Sequence, residues 1–188
     1  MFAPRHHGAM RHAIGPRREL GMRTIFNMLG PLTNPANAPR QVMGVYSKPL
    51  VEQMARVLQK LGSERAMVVY ADDGMDEISV SSDTHVAELI DDEVKTYTIK
   101  PEQFAVDRSD VESLVVQGAD ESLQLIKSVF SGQAGAALDI IALNSGAAIY
   151  VAGLADTHLQ GVDIARGMIA DGHAADKLEA LIHCSNHC

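Results

Sequence analysis

Residues 41–70 constrain the fold more than any other stretch of this chain. Two short apolar runs, 41–46 and 66–70, flank a segment in which Leu50, Val51, Met54, Val57, Leu58 and Leu61 recur at helical spacing. Ser47 is placed to cap this helix and Gly62 to end it. The two runs read as buried strands. Strands joined through a helix lie parallel, and the helix must cover their sheet, so the unit is a βαβ crossover. Residues 84–90 and 94–99 are rich in β-formers and are joined by Asp91, Asp92 and Glu93, which predicts a hairpin carrying an antiparallel strand.

From about residue 119 the pattern turns helical. Leu123, Ile126, Val129 and Phe130 mark one face of a helix stopped at Gly132. Residues 136–154 hold so much Ala, Ile, Leu and Gly that this helix is expected to be buried nearly all round. Further helices are expected around 158–170 and 174–183. Asp139, Asn144 and Asp163 in these helices read as packing and cap residues. The expectation is a single α/β domain over residues 1–188, with a mostly parallel sheet, an antiparallel hairpin strand and flanking helices.

Composition narrows the function. Hydrophobic residues make up 46% of 188 and aromatics only 4%, with no Trp, so the core must be aliphatic. The net charge of −8 argues against a nucleic-acid surface, which needs clustered cations. No apolar stretch reaches the ~20 residues of a membrane helix. The first ten residues lack the apolar core of a secretion signal. Both cysteines fall in the last five residues, so there is no disulfide framework, and a cytoplasmic location is expected.

Three segments could carry chemistry. Residues 17–35, RRELGMRTIFNMLGPLTNP, join three arginines to a Gly/Pro-rich loop. Arginine offers a planar fork to a carboxylate or phosphate, and Gly and Pro can form a wall for a flat ligand. An ordinary helix with a surface loop would read the same way. Asp72, Asp73, Asp76 and Glu77 place four carboxylates within six residues, just beyond an expected strand end. Ligands of open parallel sheets bind there, and hard oxygen donors suit Mg²⁺; a solvated acidic turn is the alternative. His183, Cys184, His187 and Cys188 could hold zinc. Such sites usually draw ligands from separated segments, and chain ends fray, so no more than adventitious binding is expected of them. No glycine-rich phosphate cradle of a known pattern occurs.

The 17–35 run, together with His7-Gly8-Ala9-Met10 and Gly74-Met75-Asp76-Glu77-Ile78-Ser79, resembles the anthranilate phosphoribosyltransferase family. The resemblance implies the large α/β domain that this family shares with nucleoside phosphorylases. It implies transfer of phosphoribose from phosphoribosyl pyrophosphate to anthranilate in tryptophan synthesis, with no nucleophilic side chain. It implies Mg²⁺ on Asp76 and Glu77, Arg17 on the anthranilate carboxylate, His7 along the aromatic ring, and Gly30 and Pro31 lining the anthranilate channel. Gly8 stands where the family has proline. A homodimer is implied for the complete enzyme. The family's Gly-Thr-Gly-Gly-Asp loop and Lys-His-Gly-Asn segment lie upstream of the matched part. The chain is therefore expected to be the C-terminal portion of a larger glycosyltransferase, inactive by itself. A pyrimidine-nucleoside phosphorylase, or a non-catalytic nucleic-acid-binding relative, is the rival reading.

Overall fold

The structure is a computed structural model that describes residues 32–187 and, before them, Gly15, Glu19, Gly21, Leu29 and Gly30. Arg17, His7, Pro31 and Cys188 lie outside the described residues. The chain divides into two compact units, residues 1–39 and 40–188.

In the first unit, Leu29, Gly30 and Leu32 are helical, so the expected loop begins later than Gly30. Thr33 closes this stretch, its hydroxyl donating to the carbonyls of Leu29 and Gly30 at 3.1 Å each. Asn34 then turns the chain by accepting the Ala36 N–H at 3.0 Å.

The second unit begins with the crossover. Strand β1 (Arg40–Gly44) leads through helix α1 (Pro49–Lys60) to strand β2 (Arg65–Ala71), and β1 and β2 pair in parallel from Arg40↔Arg65 to Gly44↔Val69. Helix α1 starts on Pro49, whose missing N–H is not needed in a first turn. Ser47 contributes its backbone carbonyl to Leu50 rather than a side-chain cap. Gly62, at φ +84°, ends the helix as expected, its N–H and that of Ser63 taking the carbonyls of Gln59 and Leu58.

Strand β3 (Thr84–Ile90) is antiparallel to β2, and β4 (Glu93–Ile99) is antiparallel to β3. The sheet is thus mixed, in the order β1-β2-β3-β4, rather than mostly parallel: among the described residues one pair is parallel and two are antiparallel. Among the described residues only β1 to β2 is bridged by a covering helix. The loop 72–83 and the turn Asp91-Asp92 both return the chain along its neighbour. Asp91 and Asp92 sit at φ +50° and +60°, and the Gln59 amide of α1 donates to the Asp92 carbonyl at 2.6 Å. A turn with both central residues left-handed matches the twist of a hairpin.

Side chains alternate across the strands, so the sheet has two packed faces. Helix α1 covers one with Val51, Met54, Ala55 and Leu58. On the other, Met67, Val69 and Val86 meet helices α3 (Ala136–Val151) and α4 (His158–Ala170) through Ala142, Leu143, Ala147, Val151 and Val162. Helices α2 (Ala119–Phe130) and α5 (His173–His187) complete this unit. Helices α3 and α4 touch backbone to backbone: a Cβ on Gly161 would lie 2.2 Å from the Gly146 carbonyl oxygen. Helix α3 is covered on most sides without being buried all round: it buries Ala142, Leu143, Gly146, Ala147 and Val151, Ala148 is exposed, and its other residues are half-buried.

Candidate functional site

The loop 72–83 leaves the carboxyl end of β2 and holds five acids: Asp72, Asp73, Asp76, Glu77 and Asp83. It opens with a tight turn in which Gly74, at φ +93°, lets its own N–H reach the Ala71 carbonyl and lets the Met75 carbonyl accept the Ala71 N–H. Three of the acids are occupied within the fold. Asp72 meets His85 Nε2 at 2.7 Å, and His85 Nδ1 lies 3.2 Å from the Thr98 hydroxyl. Asp73 accepts the Met75 N–H at 3.0 Å and the hydroxyls of Ser79 and Ser81. Burial alone would push the Asp73 carboxyl up. The donors Ser79, Ser81, Met75 and Ser82 outweigh that and hold it below the usual carboxylate range.

Asp83 closes the loop. The Arg108 guanidinium donates to Asp83, to Glu102 at 2.7 Å and to the Ser81 carbonyl at 3.3 Å. Its hydrogen bonds hold the Asp83 and Glu102 carboxyls below their ordinary values.

Asp76 and Glu77 differ. Both are exposed, and no described residue gives either carboxylate a hydrogen bond or an ion pair. Burial of part of its surroundings, with the Asp76 charge alongside, pushes the Glu77 carboxyl above its usual value. Their backbone is nonetheless held. Gly44, the last residue of β1, faces the Asp76 carbonyl so closely that a Cβ would stand 1.6 Å from its oxygen. One residue beyond Glu77, the Ile78 N–H donates to Asn144 Oδ1 at 3.0 Å and the Ile78 carbonyl accepts Asn144 Nδ2 at 2.9 Å. The Ser79 N–H then donates to the buried Thr84 hydroxyl at 3.2 Å.

Two adjacent acids with hard oxygens, free of other partners among the described residues and repelling one another, suit a divalent cation. Among the described residues no group of three or more His, Cys, Asp or Glu gathers. Mg²⁺ takes one or two carboxylates and completes its shell with water and phosphate oxygens. The described part of the C-terminal tail shows no zinc-like arrangement: the His183 and His187 rings stack 4.3 Å apart on α5, and His187 Nδ1 lies 2.7 Å from the His183 carbonyl.

Sequence reasoning picked out the acid run that holds Asp73, Asp76 and Glu77 but missed Gly44 and Arg108, and it took Asn144 for a packing or cap residue. Asn144 is in mid-helix and reaches a loop 66 residues away. Asp139 pairs with Arg166 of α4 at 3.6 Å, and Asp163 lies 4.0 Å from the same guanidinium. Gly44 alone had a legible signal, since glycine at a strand end often marks a close backbone approach.

The pattern of the glycosyl transferase family, a/b domain, matches residues 1–175. The chain belongs to this family. Its sequence is 53% identical, over all 188 residues, to the anthranilate phosphoribosyltransferase of Thioalkalivibrio sulfidiphilus, of which it covers 56%. Among solved structures, that of the anthranilate phosphoribosyltransferase from Thermus thermophilus matches 93% of the chain with a TM-score of 0.85 and 38% identity, over 51% of its own length. The Saccharomyces cerevisiae enzyme, in complex with phosphoribosyl pyrophosphate and Mg, matches 92% with a TM-score of 0.81 and 27% identity, over 50% of its length. The chain spans about half the length of these relatives of the glycosyl transferase family.

Proposed function

We propose that this chain is the metal- and acceptor-binding part of an anthranilate phosphoribosyltransferase, which joins anthranilate to phosphoribosyl pyrophosphate in tryptophan biosynthesis. The observation that carries the reading is the open Asp76-Glu77 pair, in a chain 53% identical throughout to a relative of that name. The products are N-(5-phosphoribosyl)anthranilate and pyrophosphate. The bond from the ribose anomeric carbon to pyrophosphate breaks, a bond from that carbon to the anthranilate nitrogen forms, and the nitrogen loses a proton. Asp76 and Glu77 would hold Mg²⁺, which when bound neutralises charge growing on the departing pyrophosphate. Arg17 would take the anthranilate carboxylate in a two-pronged hydrogen bond, with His7 beside the ring and Gly30 and Pro31 as the wall. Binding the flat acceptor in this way presents its weakly basic nitrogen to the ribose, a gain from proximity. A homodimer is the assembly this reading expects.

The test is loss of anthranilate fluorescence, with phosphoribosyl pyrophosphate and Mg²⁺ supplied, in the chain joined to the part of the Thioalkalivibrio relative that it does not match. Arg17→Ala is expected to raise KM for anthranilate roughly ten- to hundredfold, the worth of a charge-assisted pair at about 1.5–3 kcal/mol. KM for phosphoribosyl pyrophosphate should barely move. An unchanged anthranilate KM would sink the assignment of Arg17.

A further inference from the structure

The carboxylates of Asp76 and Glu77 are free of described partners, yet a metal site works only if its ligands are held to within a fraction of an ångström. Their side chains are not tied down, so their position must come from the backbone on either side. Gly44 seats the Asp76 carbonyl. On the other side the chain enters the core at Ile78, which is 2% exposed. A residue buried that deeply needs partners for its N–H and C=O, and among the described residues no strand pairs with it to supply them.

Asn144 supplies both. Its Oδ1 accepts the Ile78 N–H at 3.0 Å, and its Nδ2 donates to the Ile78 carbonyl at 2.9 Å and to the Ile140 carbonyl at 2.9 Å. These contacts use both amide protons and the oxygen, and they fix which end of the amide points where. Aspartate has the oxygen but no donor, leucine has neither, and serine is too short to leave its own helix. The fork thus does for Ile78 what a neighbouring strand would do. It stands on α3, whose Leu143 and Ala147 are fully buried.

We propose that Asn144 is a positioning residue for the Asp76-Glu77 pair, holding the two acids through the backbone of Ile78. The proposal rests on the metal reading of that pair given above. Removing the fork frees the end of the loop next to Glu77, so the two carboxylates no longer converge on one cation.

The test uses the 188-residue chain, labelled for NMR, with Mn²⁺ as the probe. Two readouts are taken: the Mn²⁺ concentration that half-broadens the Glu77 and Ile78 amide signals, and the exchange rate of the Ile78 N–H relative to that of Val68 in β2. Asn144→Leu keeps the branched shape without the polar atoms, and Asn144→Ser offers a smaller side chain should the first fold poorly. Each is expected to speed relative Ile78 exchange about tenfold and to raise the Mn²⁺ midpoint severalfold. Leu143→Ala, one residue away, removes core packing without touching the fork. It should lower Tm at least as much while leaving both readouts at their wild-type values. Wild-type values in both Asn144 variants overturn the proposal, and so does a midpoint shift of the same size in Leu143→Ala. If Mn²⁺ broadens neither signal in the wild-type chain, the metal reading fails, and the fork is then judged on Ile78 exchange alone.

Discussion

Asp73 and Glu77 stand four residues apart in one loop, and their surroundings push them in opposite directions. Asp73 is wrapped by Ser79, Ser81 and the Met75 N–H, which hold its carboxyl low. Glu77 has no such donors, and partial burial, with the like-signed Asp76 charge second to it, pushes its carboxyl up. A carboxylate supplied with donors is satisfied and stabilises the loop. One left with a like charge is stabilised only by a cation from outside. The same carboxylate group is therefore tied into the scaffold at one position and left open at the other.

The sharpest way to break this contrast is Asp73→Ala. Ser79 is 1% exposed, so its hydroxyl would lose its carboxylate acceptor and keep only the Ser81 hydroxyl, 3.2 Å away. A loss of about 2–3 kcal/mol, or about 5–10 °C in Tm, is expected in urea and thermal unfolding. Wild-type stability would mean that Asp73 is as idle as Glu77.

Next in size is Gly44→Ala. The added methyl would meet the Asp76 carbonyl oxygen at 1.6 Å, so the loop must shift. A cost of about 1–3 kcal/mol is expected, together with weaker Mn²⁺ binding measured by NMR broadening. An unchanged Mn²⁺ midpoint would show that the seat under Asp76 does not matter.

Asp76→Asn with Glu77→Gln should leave stability within about 0.5 kcal/mol of wild type, since these exposed side chains bond to no described residue. Mn²⁺ broadening at this loop should vanish. A destabilisation above about 1 kcal/mol would place the pair in the scaffold and erase the contrast.

The smallest expected effect is in the pH dependence, where the two acids have opposite signs. Asp73 has a lowered pKa in the folded chain, so its contribution is present above the ordinary carboxylate value and lost as pH falls below about 4. Glu77 has a raised pKa, so its charge costs stability above that pKa, and the cost is relieved as pH falls through it. Acid titration of unfolding should therefore lose part of its low-pH loss in Asp73→Asn and its slight gain at higher pH in Glu77→Gln. Parallel curves for the two variants would contradict the assignment.

Much of this was legible beforehand because it is local. The apolar spacing of residues 50–61 and the glycine at 62 determine α1, and the β-rich runs around Asp91-Asp92 determine the hairpin within a residue or two. The run of acids was visible too, but not which of them remain open. That depends on donors brought in by folding: Ser79 and Ser81 curling back on Asp73, His85 of β3 reaching Asp72, and Arg108 reaching Asp83.

The sequence by itself determined the helices, the strands and the presence of a carboxylate cluster at a strand end, because periodicity, turn residues and charge act over a few positions. Only the tertiary structure decided that β3 runs antiparallel to β2, how far α3 is covered, and the division of the acids into scaffold and open pair. Those outcomes depend on contacts between residues far apart in the chain, such as Asn144 with Ile78, 66 residues away, and Gly44 with Asp76. A hydrogen bond or a close backbone approach at that separation leaves no period in the sequence, and it exists only once the elements have packed.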